Sequence, residues 1–167
     1  MTESRMTELD KKSEPSAEGA KLARVAELLG GRRTLRKYPQ NPLEAHEMLL
    51  RGLPTKALTC LVENLVVLRW DTAFEKAVGM SQRTYQRHTA ATAAKPLNPE
   101  QTARTWKLAE IVAKATDVLG SREEAEQWLE RPAIGLDQRR PIDLLATPAG
   151  VEMVESLLER LDYGVYT

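Results

Sequence analysis

From Asn98 to Gly120 the chain spells one long helix with both ends marked, and no other stretch restricts the fold as much. Asn98 is an N-cap residue, Pro99 suits the first helical position, and Gln101 stands where it can bond back to the cap. Ala103, Trp106, Leu108, Ile111, Val112, Ala115, Val118 and Leu119 then fall on one wide apolar stripe, which Gly120 ends. A stripe that wide has to be covered from several sides, so it predicts a spine wrapped by shorter helices. The rest of the chain suits that role, since alanine, leucine, glutamate and arginine recur and aromatics make up only 5%. The expected fold class is all-α, a helical bundle.

At 167 residues the chain is long enough for one real core with appendages. Net charge is zero, yet the charges are segregated. Residues 21–95 hold 13 basic and 6 acidic side chains, net +7, whereas residues 120–167 hold 5 and 10, net −5. Two surfaces with different partners are implied, and a polyanion suits the basic one. Residues 1–40 read as a flexible arm with one short helix over 21–29, where Leu22, Val25, Ala26 and Leu29 recur at helical spacing before Gly30-Gly31. Arg32-Arg33-Thr34-Leu35-Arg36-Lys37 follows, four positive charges without an acid beside them, either a solvated linker or a phosphate-contacting arm.

The part expected over 41–119 begins with Asn41-Pro42, which opens a helix through Leu43, His46, Leu49 and Leu50. Pro54 opens another with Leu58, Leu61, Val62 and Leu65 on one face. His46 has no second ligand near it in sequence and reads as structural. Asp71-Thr72 then caps a short helix through Phe74, Ala77 and Val78, Gly79-Met80-Ser81 turns, and Ser81 caps a second helix through Gln82-Arg83-Thr84-Tyr85-Gln86-Arg87-His88. This is the helix-turn-helix layout. Phe74, Val78, Met80 and Tyr85 supply its packing side, while Ser81, Gln82, Arg83, Gln86 and Arg87 point outward and are types that bond bases and phosphates. An ordinary helical hairpin with a polar outer face is the plainer reading. Glu75 and His88 stand where such motifs usually carry a small and an apolar residue.

After the spine, Ser121-Arg122-Glu123-Glu124 reads as a capping box for a helix carrying Trp128-Leu129, which Pro132 ends. Pro141 starts a single turn with Ile142, Leu144 and Leu145. Thr147-Pro148 caps a final helix with Val151, Val154, Leu157, Leu158 and Leu161 in register. Beyond it lies Asp162-Tyr163-Gly164-Val165-Tyr166-Thr167, two tyrosines flanking a glycine with no evident neighbour in their own chain. Such a tail is expected to meet a partner.

Nothing in the sequence spells an enzyme. No nucleophile elbow, phosphate-cradling glycine loop or metal-ligand spacing occurs, and the carboxylates fall mostly on exposed helix faces. No catalytic residue, metal or cofactor is therefore expected. Cys60 is the only cysteine and reads as a small buried hydrophobe rather than a reactive thiol. With no membrane-length apolar run and a polar first segment, a cytoplasmic protein without membrane contact is expected.

Taken in order, several of these segments resemble the Xre/MbcA/ParS antitoxins of bacterial toxin–antitoxin pairs. They are Gly52-Leu53-Pro54, Gly79-Met80-Ser81-Gln82-Arg83-Thr84 with Arg87, Leu97-Asn98-Pro99-Glu100, Ala125-Glu126-Gln127-Trp128-Leu129, Pro141-Ile142-Asp143-Leu144-Leu145, Thr147 with Gly150, and Tyr163-Gly164-Val165-Tyr166. The resemblance implies an Xre-like helix-turn-helix part over 41–119, followed over 120–167 by a small helical domain that neutralises a RES-domain toxin, a class that consumes NAD. It also implies repression of the protein's own operon through operator DNA, by a homodimer formed alone or within the toxin complex. Carried over, Ser81, Gln82, Arg83, Thr84, Gln86 and Arg87 fall on the DNA-reading helix. Trp128, Pro141, Leu144, Leu145, Tyr163, Gly164, Val165, Tyr166 and Thr167 fall on the toxin-binding part. The sequence departs from the family at Leu136-Asp137-Gln138-Arg139-Arg140, where the usual link is short and glycine-rich. The alternative from another class is a stand-alone helix-turn-helix regulator whose C-terminal helices serve only for dimerisation.

Overall fold

A computed structural model of the chain describes residues 16–93 and 95–164. Among them are ten α-helices: α1 (Ala17–Leu28), α2 (Gly31–Leu35), α3 (Pro42–Leu50), α4 (Thr55–Asn64), α5 (Thr72–Val78), α6 (Gln82–Ala90), α7 (Pro99–Leu119), α8 (Arg122–Glu130), α9 (Pro141–Leu144) and α10 (Pro148–Asp162). One 3-10 turn, Ile134–Leu136, precedes α9, and the described residues contain no strand. The class is all-α.

The spine is α7. Its Asn98 cap and Gln101 complete the reciprocal capping box, and Gly120 closes it in the left-handed conformation at φ 95°. Thr105, Trp106, Leu108, Ala109, Ile111, Val112 and Ala115 are buried, because α1, α3, α5, α8 and α10 all pack against this one helix. Ala103, expected on the stripe, is exposed, and Val118 and Leu119 are half-buried. The stripe narrows where its neighbours end.

Three expectations change. The segment read as an arm with one helix is, from Ser16 on, two helices, and α1 belongs to the core: Leu22, Val25, Ala26, Leu28 and Leu29 are buried against α4 and α7. Ser16 caps α1 and starts it earlier than the apolar pattern suggests. In α3 the apolar face is not the expected one, since Leu43 and Leu50 are 66% and 74% exposed and His46 is exposed as well, while only Ala45 is buried. A nine-residue helix offers several apolar arcs, and which of them meets a neighbour is decided by α7. Ser121 accepts the Glu124 N–H at 3.1 Å, one half of the expected capping box.

Cys60 is half-buried at the seam between α4 and α2, its Sγ 3.7 Å from Thr34 Oγ1. No described helix is long and apolar enough to cross a membrane.

Candidate functional site

The second helix of the motif, α6, is built to be held by its edges. Ser81 accepts the Thr84 N–H at 3.2 Å, and its hydroxyl bonds that of Thr84 at 3.0 Å. Glu75, the residue unexpected for the motif, explains itself here. Its carboxylate accepts the Gln82 N–H at 2.7 Å, so an acid on α5 caps the start of α6. On the packing side the Tyr85 ring stacks on Trp70 at 4.5 Å, and Trp70 tilts against buried Phe74 at 4.9 Å. Gly79, at φ 71°, makes the turn between the two helices.

This leaves Ser81, Gln82, Arg83, Gln86 and Arg87 exposed, all five outside the packing. Thr84 is half-buried and occupied by the cap, so of the six expected reading residues it is the one turned toward the protein. No residue of α6 is fully buried. His88 is half-buried and its Nδ1 has no hydrogen-bond partner among the described residues.

The C-terminal surface is arranged differently. Pro141, Ile142 and Leu145 are buried because α9 sits among α5, α8 and α10. Pro141 and Leu145, expected as contact residues, are thus buried in the isolated chain, where they pack against the neighbouring helices. Trp128 and Leu144 are half-buried against the core. Tyr163 closes α10 with 84% of its surface exposed, and Gly164 follows at φ 71°. Val165, Tyr166 and Thr167 lie outside the described residues.

Ile134 and Met153 are exposed apolar residues of the same C-terminal segment that no sequence pattern singled out. Met153 borders a shallow groove of about 330 Å³ between the 3-10 turn and α10, lined also by Gly135, Glu152, Ser156 and Arg160.

Two side chains that sequence reasoning missed join the halves. Glu126 of α8 is completely buried, contrary to the expectation of solvated carboxylates. Its Oε2 accepts the backbone N–H groups of Val66, Val67 and Leu68 at 2.9, 2.5 and 2.8 Å. An acid in α8 thus holds the loop that leads into the helix-turn-helix motif. Arg104 of α7 donates to the carbonyls of Lys76 at 2.6 Å and Ala146 at 3.1 Å, tying the end of α5 to the start of α10. Neither is legible locally, because the partners lie 60 to 28 positions away in sequence.

The loop before α9 replaces glycine with other means. Asp137 and Gln138 stand in the left-handed region at φ 52° and 61°. Arg140 forks onto Asp143 at 2.9 and 2.8 Å and reaches Glu130 at 3.0 Å. Hydrogen bonding to Asp143 raises the Arg140 value against the opposing effect of burial, with the charges of Asp143 and Glu130 adding to it. Gly150 is required by close approach: a Cβ there would sit 2.0 Å from the Leu144 carbonyl oxygen.

Comparison with known proteins matches two segments of the chain. Residues 44–110 match the antitoxin Xre-like helix-turn-helix domain, and residues 114–164 match the antitoxin Xre/MbcA/ParS C-terminal toxin-binding domain. An antitoxin Xre of Yersinia enterocolitica is 30% identical over 150 residues, covering 80% of this chain and 100% of that protein. An antitoxin Xre of Photorhabdus laumondii is 25% identical over 91 residues, 54% of this chain and 60% of that protein. With a helix-turn-helix domain in the first matched segment, a toxin-binding domain in the second and a 30% identical relative matched over its whole length, the chain belongs to the Xre family of antitoxins.

Proposed function

We propose that this antitoxin neutralises a RES-domain, NAD-consuming toxin by laying its C-terminal domain and residues 163–167 over the toxin's active site, and that it represses its own operon by seating α6 in the major groove of operator DNA. On this reading residues 41–119 form the DNA-binding part, residues 120–167 the toxin-binding part, and the protein works in the cytoplasm. The observation that carries the first half is Tyr163. Its ring stands 84% exposed at the end of a helix that is otherwise well packed, in the segment that matches a toxin-binding domain. A toxin that takes NAD needs a cleft receptive to rings and phosphates, and a tail with two tyrosines is chemically suited to plug it. Each ring buried there contributes on the order of 2 kcal/mol, against a small ordering cost for so short a segment.

Trp128 and Leu144 provide the half-buried rim of the same surface, with Pro141 and Leu145 shaping it from beneath. For DNA, one short helix makes few base contacts, so a homodimer reading two half-sites about 34 Å apart is the working form.

The test asks first whether an adjacent reading frame encodes a RES-type protein, which a stand-alone regulator would lack, and then co-expresses that product with the antitoxin. Deleting residues 163–167 is expected to leave melting temperature and DNA affinity nearly unchanged while growth protection is lost and cellular NAD falls. A truncated protein that restores full growth with NAD at its normal level overturns occlusion by the tail. A stand-alone regulator would form no complex with that toxin at all.

A further inference from the structure

We propose that α2 is a second DNA-contacting element, a phosphate clamp beside the reading helix, built from residues that lie before both family-matched segments. The inference rests on the reading of α6 as a DNA-binding helix. Two windows of the chain carry positive charge with no acidic residue: residues 28–43, with Arg32, Arg33, Arg36 and Lys37, and residues 76–99, with Lys76, Arg83, Arg87 and Lys95. The fold brings both to one helix, since α2 and α6 each pack on α4.

The basic cluster is not a floppy linker. Gly30 and Gly31, at φ 93° and 59°, turn the chain sharply from α1 into α2. A Cβ at Gly30 would lie 2.6 Å from Cys60 Sγ, so α2 is seated tightly on α4, and Asn64 Nδ2 ties the Leu28 carbonyl to the same helix at 3.3 Å. With this anchoring, Arg32, Arg33, Arg36 and Lys37 are all exposed.

Their local neutralisation is slight. Lys37 pairs with Glu44 at 3.2 Å, and Arg32 lies over the Tyr38 ring at 5.4 Å. The nearby Glu27 carboxylate is taken by the Tyr38 hydroxyl. Arg33 and Arg36 have no side-chain partner among the described residues. Arg36 also stands at φ 63°, a backbone setting that favours glycine, and yet carries a guanidinium there. Unpaired guanidinium groups on a firmly seated backbone, on the same support as an acid-free reading helix, suit the backbone of the duplex that helix reads, because arginine matches phosphate geometry and counterion release rewards each contact.

The experiment compares the full-length protein with Arg33→Ala/Arg36→Ala and with Arg33→Lys/Arg36→Lys. Each is titrated between roughly 50 and 200 mM salt on a duplex covering the DNA upstream of its own gene and on a scrambled duplex. The alanine variant is expected to keep its melting temperature, to bind both duplexes more weakly by a similar factor, and to lose about 1.8 from the slope of log affinity against log salt. The lysine variant is expected to keep the slope, as charge rather than fork geometry sets it. Wild-type binding with an unchanged slope in the alanine variant overturns this proposal alone. A loss confined to toxin binding overturns it as well, by assigning the patch to a protein partner. A wild-type protein that binds neither duplex overturns both this and the reading of α6.

Discussion

Both α6 and α9 are short helices in the expected contact regions, yet they are packed in opposite ways. The first has no fully buried residue and is fixed by caps, one aromatic stack and contact with α4, while the second has Pro141 and Ile142 in the interior among three other helices. A helix held by its edges frees its outer face for a ligand, so its function and its stability separate. A helix used as a packing hub does not allow that, and a substitution on it disturbs fold and binding together. For the proposed toxin contact, the informative mutation therefore lies at exposed Tyr163 rather than on α9.

The largest way to break this contrast is through the link between the halves. Glu126→Ala strips three backbone N–H groups of their acceptor and opens a cavity at a fully buried position, which is expected to cost about 3–5 kcal/mol by denaturant unfolding. Glu126→Gln keeps the volume and one acceptor oxygen and is expected to lose less. Equal stability of the alanine variant and the wild type would show that the buried carboxylate does not hold the two halves together. Gly150→Ala probes the hub itself. Its new methyl must push on the Leu144 carbonyl, for an expected loss of about 1–3 kcal/mol in a thermal melt and a displaced α9.

On the reading side the expectation is reversed. Arg83→Ala/Arg87→Ala is expected to weaken operator binding by about 1–3 kcal/mol for each arginine that contacts a base, while the melt changes by less than about 0.5 kcal/mol. Gel-shift titration beside calorimetry checks both numbers, and a destabilised double variant with unaltered operator affinity would reverse the comparison. In the loop before α9, Gln138→Gly relieves a left-handed non-glycine residue and is expected to stabilise by about 0.5–1 kcal/mol.

The smallest effect is a pH dependence. Burial alone would lower the Lys107 value, but hydrogen bonds and charge from Glu110 and Glu155 outweigh it and the net value is raised above the ordinary 10.5. A raised lysine contributes stability that is fully present below its unfolded value and is lost as pH climbs through the folded one. The α7–α10 bridge at 3.0 Å is therefore expected to weaken only above about pH 10.5, and by less than about 1 kcal/mol because the side chain is 39% exposed. Lys107→Met, followed by unfolding across alkaline pH, is expected to flatten that slope.

Features set by neighbours a few positions apart can be read directly from the residues. Asn41, Asp71, Ser81, Asn98, Ser121 and Thr147 each accept a backbone N–H three residues on, and those six caps place six helix starts as the residues alone predict. The outward face of α6 was legible for the same reason, since one short apolar set fixes which side packs. Which arc of α3 is covered, that α1 joins the core, that α9 is interior, and that Glu126 and Arg104 tie the halves follow only from the tertiary packing. Each of these depends on a partner far along the chain, and a buried carboxylate or an exposed leucine has no local signature until that partner arrives.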